Sequence, residues 1–122
     1  MKKDKIIYWT ITGIFSLFML FSAYSYLTAP EMRSAFEHLG FPDYFRVELA
    51  VAKILGVLIL LIPFVSRDFK LVAYAGFALN LISATIAHGA SADPTQAVVM
   101  PLVFLAVLAA SYFYYQRVRA VA

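Results

Sequence analysis

Residues 6–26 read IIYWTITGIFSLFMLFSAYSY, a run without a single charged side chain. As an α-helix rising about 1.5 Å per residue, this stretch covers roughly 30 Å, the thickness of the hydrocarbon core of a bilayer. Lys2, Lys3 and Lys5 precede it, as they would precede a secretory signal, but the apolar core of such a signal is only about 7–15 residues long. Three more apolar segments follow, at 45–65, 71–88 and 98–115, so the first reads as a retained membrane helix. The expectation is an all-α fold, a single integral membrane domain over 1–122 whose four transmembrane helices form an up-down-up-down bundle.

Bulk composition points the same way. The 122 residues are 63% hydrophobic and 14% charged, against about 45–50% and 25% in soluble domains. The net charge of +3 does not mark a nucleic-acid partner, because the basic residues form short clusters beside apolar segments and not a continuous patch. The absence of cysteine excludes thiol–disulfide exchange, a cysteine-held iron–sulfur cluster and covalently attached haem.

Four spans put both termini on one side. With the termini inside, that side carries Lys2, Lys3, Lys5, Arg67, Lys70, Arg117 and Arg119, and the other only Arg33 and Arg46, so the termini are expected in the cytoplasm. The aromatic belts agree: Tyr8, Trp9, Tyr74, Tyr112, Tyr114 and Tyr115 fall near the inner boundary, and Tyr24, Tyr26, Tyr44 and Phe45 near the outer. Between the first two spans, TAPEMRSAFEHLG has Thr28 and Glu31 at capping-box spacing, Pro30 for a first turn and Gly40 for a helix end. Met32, Ala35, Phe36 and Leu39 follow the i, i+3, i+4, i+7 pattern, which predicts a short amphipathic helix on the outer membrane surface. SRDFK makes a tight inner turn and HGASADPTQ a turn-rich outer connection.

Ionisable groups inside a span need a partner or a purpose. Glu48 and Lys53 lie about 4–5 Å and 12 Å below Phe45 along a helix. Asn80, eight residues from His88 on the oppositely running third span, reaches about the same depth as Lys53. Gly76, Asn80, Ala84 and His88 recur every fourth residue, as do Glu48, Ala52 and Gly56, so two ridges of small and polar side chains are placed to face each other. The functional reading is an outer-leaflet pocket in which Lys53 and Asn80 bind a carbonyl or anionic group and His88 and Glu48 serve proton transfer. The structural alternative has Lys53 bonded to Asn80 or to loose carbonyls, Glu48 among the headgroups and His88 ending a helix. His38, on an exposed face, needs no function. No metal site is expected, because His38 and His88 are the only histidines and no ligand spacing links them. No catalytic motif appears: there is no phosphate loop, partnered nucleophile or carboxylate pair.

The stretches GFPDYF at 40–45, VAKILGVLILLIP at 51–63 and AYAGFALNLISATIAHG at 73–89, with Asp93 after them, resemble the bacterial DoxX-like family over nearly the whole chain. Pro42, Lys53, Gly56, Ala73, Tyr74, Ala75, Gly76 and His88 match its pattern. The resemblance implies a small four-helix protein of the bacterial cytoplasmic membrane, from a group named after a subunit linked to quinone-dependent oxidases. The leading functional expectation is an accessory or redox-linked component that binds a quinone-like lipophilic molecule in the outer half of the bundle. One alternative is a small proton-coupled transporter acting as a homo-oligomer; the other is a structural subunit that assembles into a larger membrane complex.

Overall fold

The computed structural model describes residues 2–91 and 93–121; of the expected outer connection, Ala92 lies outside the described residues. The described chain is all-α, with five helices: α1 (Lys2–Thr28), α2 (Pro30–His38), α3 (Asp43–Leu61), α4 (Arg67–Ala90) and α5 (Thr95–Val121). The four long helices close a ring in which α1 packs on α3 and α5, and α4 on α5 and, less extensively, on α3. The core fills the ring with Phe15, Met19, Val57, Leu60, Tyr74, Phe77, Leu81 and Leu108. Phe15 and Phe77 meet across its centre edge to face, with ring centroids 5.2 Å apart.

By length and composition, Lys2–Thr28, Arg67–Ala90 and Thr95–Arg119 are long and apolar enough to cross a membrane. α3 has 19 residues but carries Arg46, Glu48 and Lys53 among them. It also stops at Leu61, four residues before the expected end of the second span. Pro63 explains the stop, since a residue before proline is driven out of the helical region, and Ile62 is extended at ψ 115°.

Two cations close the ends of preceding helices. The Lys70 ammonium, almost fully buried, donates to the Leu60 carbonyl at 2.8 Å in the last turn of α3. The Arg46 guanidinium donates to the Tyr26 carbonyl in the last turn of α1 and is held there by Asp43 at 3.3 Å. Each places a positive charge where the helix dipole is negative and where carbonyls lack intrahelical partners. At the end of the ring shared with Lys70, Arg117 pairs with Asp4 at 3.3 Å, tying the last helix to the first.

Inside the ring, the Ser111 hydroxyl of α5 lies 2.6 Å from Thr12 Oγ1 of α1 and 2.7 Å from the Tyr74 hydroxyl of α4. Three helices thus satisfy one another's buried hydroxyls. Close approach of α3 to α4 rests on Gly56: a Cβ there would lie 2.7 Å from Cε2 and 2.8 Å from Cζ of Phe77.

Two substitutions test this packing. Gly56→Ala should cost about 1–3 kcal/mol by forcing the Phe77 ring off Phe15. Ser111→Ala should cost about 1–2 kcal/mol by stranding two hydroxyls. Thr10→Ala, whose exposed hydroxyl bonds only the Ile6 carbonyl of its own helix, should change little. Denaturant titration in detergent reads all three.

Candidate functional site

α2 begins differently from the expected capping box. α1 runs on to Thr28, whose hydroxyl turns back to the Tyr24 carbonyl at 2.8 Å, and Ala29 stands at the N-cap without a side-chain bond. Pro30 then starts α2 with its φ already set. The other end follows the sequence closely. Gly40 takes φ +85°, its N–H reaches the Glu37 carbonyl at 3.0 Å, and the Phe41 N–H reaches the Phe36 carbonyl at 2.9 Å. These are the two bonds of a Schellman turn, and the Phe36 and Phe41 rings supply its apolar contact at 5.9 Å.

The turn folds an aromatic cluster beneath α2. Phe36 is buried, with Tyr26 at 5.1 Å, Phe41 at 5.9 Å and Phe45 at 6.4 Å between ring centroids. α2 packs in this way on α1 and α3 but stands off α4. The gap is a cavity of about 590 Å³. Met32, Ala35, Phe36 and Leu39, the apolar face of α2, all line it. Phe45 and Leu49 of α3 form one wall, and α4 from Gly76 to His88 the other.

Asp93 joins the two elements across this gap. Its carboxylate accepts from His88 Nδ1 at 2.7 Å on one oxygen and from His38 Nε2 at 2.7 Å on the other. The Asp93 N–H also bonds the His88 carbonyl at 3.0 Å, which folds the loop back so that the carboxylate faces both rings. Hydrogen bonds from His88 and then from His38 hold the Asp93 carboxyl below its ordinary value of 3.8. An ionised carboxylate only accepts, so His88 spends its Nδ1–H on Asp93 and keeps Nε2 as its free ring nitrogen. No group of three or more metal-ligating side chains is arranged to hold an ion among the described residues.

The ridge Gly76, Asn80, Ala84 and His88 lines this cavity and does not seat against a ridge of α3. Asn80 and His88 therefore share the larger cavity, whereas Lys53 and Asn80 share a second one of about 300 Å³. The Lys53 ammonium bonds neither Asn80 nor His88; it donates to Ser22 Oγ at 2.8 Å and lies 4.0 Å above the ring centroid of Tyr26, which also lines the larger cavity. Ser22 and Tyr26, one turn apart on α1, offer it a hydroxyl and a π-face, which suit a buried cation better than one neutral amide does. Glu48 is exposed and lines neither cavity. Sequence reasoning missed Asp93 as a partner of both histidines; its only local signal is its position five residues after His88 in a turn-rich loop.

A ring of long apolar helices around buried hydroxyls, with a cavity under a short helix, defines a multi-pass α-helical membrane protein. Residues 10–111 match the DoxX-like family, and the chain belongs to it. No curated protein and no solved structure matches the chain.

Asp93→Asn should release the end of α2. Amide hydrogen exchange across 32–41 should quicken while that of α5 stays unchanged. Because the folded carboxyl titrates below its ordinary value, its contribution is complete above about pH 4 and is lost as pH falls further; exchange of the same amides at acidic pH should reproduce the variant.

Proposed function

We propose that this protein is an accessory, redox-linked component of the bacterial cytoplasmic membrane that holds a quinone-like lipophilic molecule beneath α2. One observation carries the reading: a cavity of about 590 Å³ whose wall is apolar except for a few convergent polar groups, Asn80, Ser83 and His88 among them. That is the usual make-up of a small-molecule site. A quinone-like head presents carbonyl or hydroxyl oxygens; the Asn80 amide donates to the first, and the free His88 nitrogen accepts from the second. Lys53 contributes its stem and a fixed charge behind the wall, and Glu48 has no part in this reading. Its exposure outside both cavities also weakens the case for a proton-coupled transporter.

In this reading α3 is the fourth crossing. Its buried cations, Arg46 and Lys53, are bonded within the protein, which lowers the cost of placing them in a bilayer. α2 lies on the outer surface and both termini are cytoplasmic, in keeping with the Lys and Arg excess at 2–5, 67–70 and 117–119.

Two measurements test the proposal. Mass spectrometry of lipids extracted from gently purified protein should find a quinone, and Asn80→Leu should reduce its occupancy several-fold; no quinone in the wild type would end the ligand assignment. The chain lacks cysteine, so single cysteines report topology directly. In intact cells an impermeant maleimide should label Gln96→Cys and spare Phe64→Cys, and the reverse pattern would invert the orientation.

A further inference from the structure

The two cavities between α3 and α4 adjoin. Both are lined by Leu49 of α3 and by Gly76 and Asn80 of α4. Above this junction lie the polar groups Ser83 and His88. Below it the wall is Leu55, Ile59, Val72 and Phe77, together with Lys53, whose ammonium is bonded to Ser22. Apart from Lys53, the polar lining lies at the junction and above it. His88 and Val72 stand sixteen residues apart on α4, a distance of about 24 Å along the helix.

Gly76 sits at the junction. A Cβ at Gly76 would meet nothing within 4 Å, whereas one at Gly56 would strike Phe77. Packing therefore demands glycine at 56 but not at 76, which is exposed and lines both cavities where they adjoin.

We infer that the occupant is a single-chain amphiphile, its polar head beneath α2 at Asn80, Ser83 and His88, and its tail threaded past Gly76 into the groove between α3 and α4. The inference rests on the reading of the larger cavity as a ligand site and adds the tail, its path and a residue that controls it. The lower cavity, at about 300 Å³, is at the small end of ligand pockets and suits one slender chain. Gly76 is then a specificity-determining position: a bulky side chain there fills the passage without disturbing the core.

The test uses the full chain in detergent with a hexadecyl benzoquinone that carries a photoreactive diazirine either beside the ring or at the chain terminus. Crosslinked peptides are mapped by mass spectrometry. The head-placed probe should label Met32, Ser83 or Ala87, and the tail-placed probe Leu55, Ile59 or Val72. In Gly76→Leu the tail label should leave the lower groove while the head label persists. Val72→Trp, at an exposed position, should shift the tail label toward Gly76 from the opposite end. If the head label stays in the upper cavity but the tail label has the same distribution in wild type, Gly76→Leu and Val72→Trp, the track is refuted and the upper site stands. If neither probe labels the upper cavity, both fall.

Discussion

In hydrocarbon a polar atom has no water to turn to, so every buried donor and acceptor must be met from within the chain. The described structure is organised around that constraint, with the buried Ser16 hydroxyl left without a partner as the exception among the described residues. Arg46 and Lys70 meet carbonyls at the ends of α1 and α3, and Ser111 meets Thr12 and Tyr74 between three helices. Lys53 is met by Ser22 and Tyr26. Each bond joins different helices, so the network also fixes which helix lies beside which. The apolar side chains that make the chain a membrane protein do not do this, since a leucine gains little by exchanging a lipid tail for another leucine.

The same constraint separates support from site. Lys53 is bonded to α1, and Asn80 faces the cavities with neither Lys53 nor His88 bonded to it. Gly56 and Gly76 divide in the same manner. Both sit among small residues on facing helices, but Gly56 is buried against Phe77 whereas Gly76 is exposed with open space beside it. Helical spacing alone does not distinguish a glycine that admits a neighbouring ring from one that faces open space.

This marks how far the sequence could be read. Apolar length made the helical character of 6–26, 71–88 and 98–115 legible, and Gly40 announced its turn, because both depend on local chemistry. That Lys53 and Asn80 share a level was legible from helical rise, since both line the smaller cavity. The direction of the Lys53 side chain was not, because it depends on how α1 is rotated against α3. Apolar content runs on to Val65, but the α3 helix ends at Leu61 because Pro63 drives Ile62 out of the helical region. The capping box at Thr28 failed for a similar reason: its spacing was right, but α1 continued through it and used the hydroxyl. The bridge from His38 to His88 needs a carboxylate on a loop whose path no periodicity describes.

The bridge also answers why α2 is held by directional bonds. Apolar packing barely distinguishes α2 resting on the cavity from α2 lying in lipid, because both positions cover Met32, Phe36 and Leu39 with hydrocarbon. What distinguishes them is geometry that lipid cannot reproduce: the Schellman turn at Gly40, which fixes the exit angle, and the His38–Asp93 bond, which reaches the α4 side where α2 otherwise stands off. Phe36 of α2 meets Tyr26 of α1, and Phe41 of the turn meets Phe45 of α3, so the ring contacts of α2 and its turn gather on the α1 and α3 side. The His38–Asp93 bond therefore supplies on the α4 side the directional hold that the aromatic contacts supply on the other.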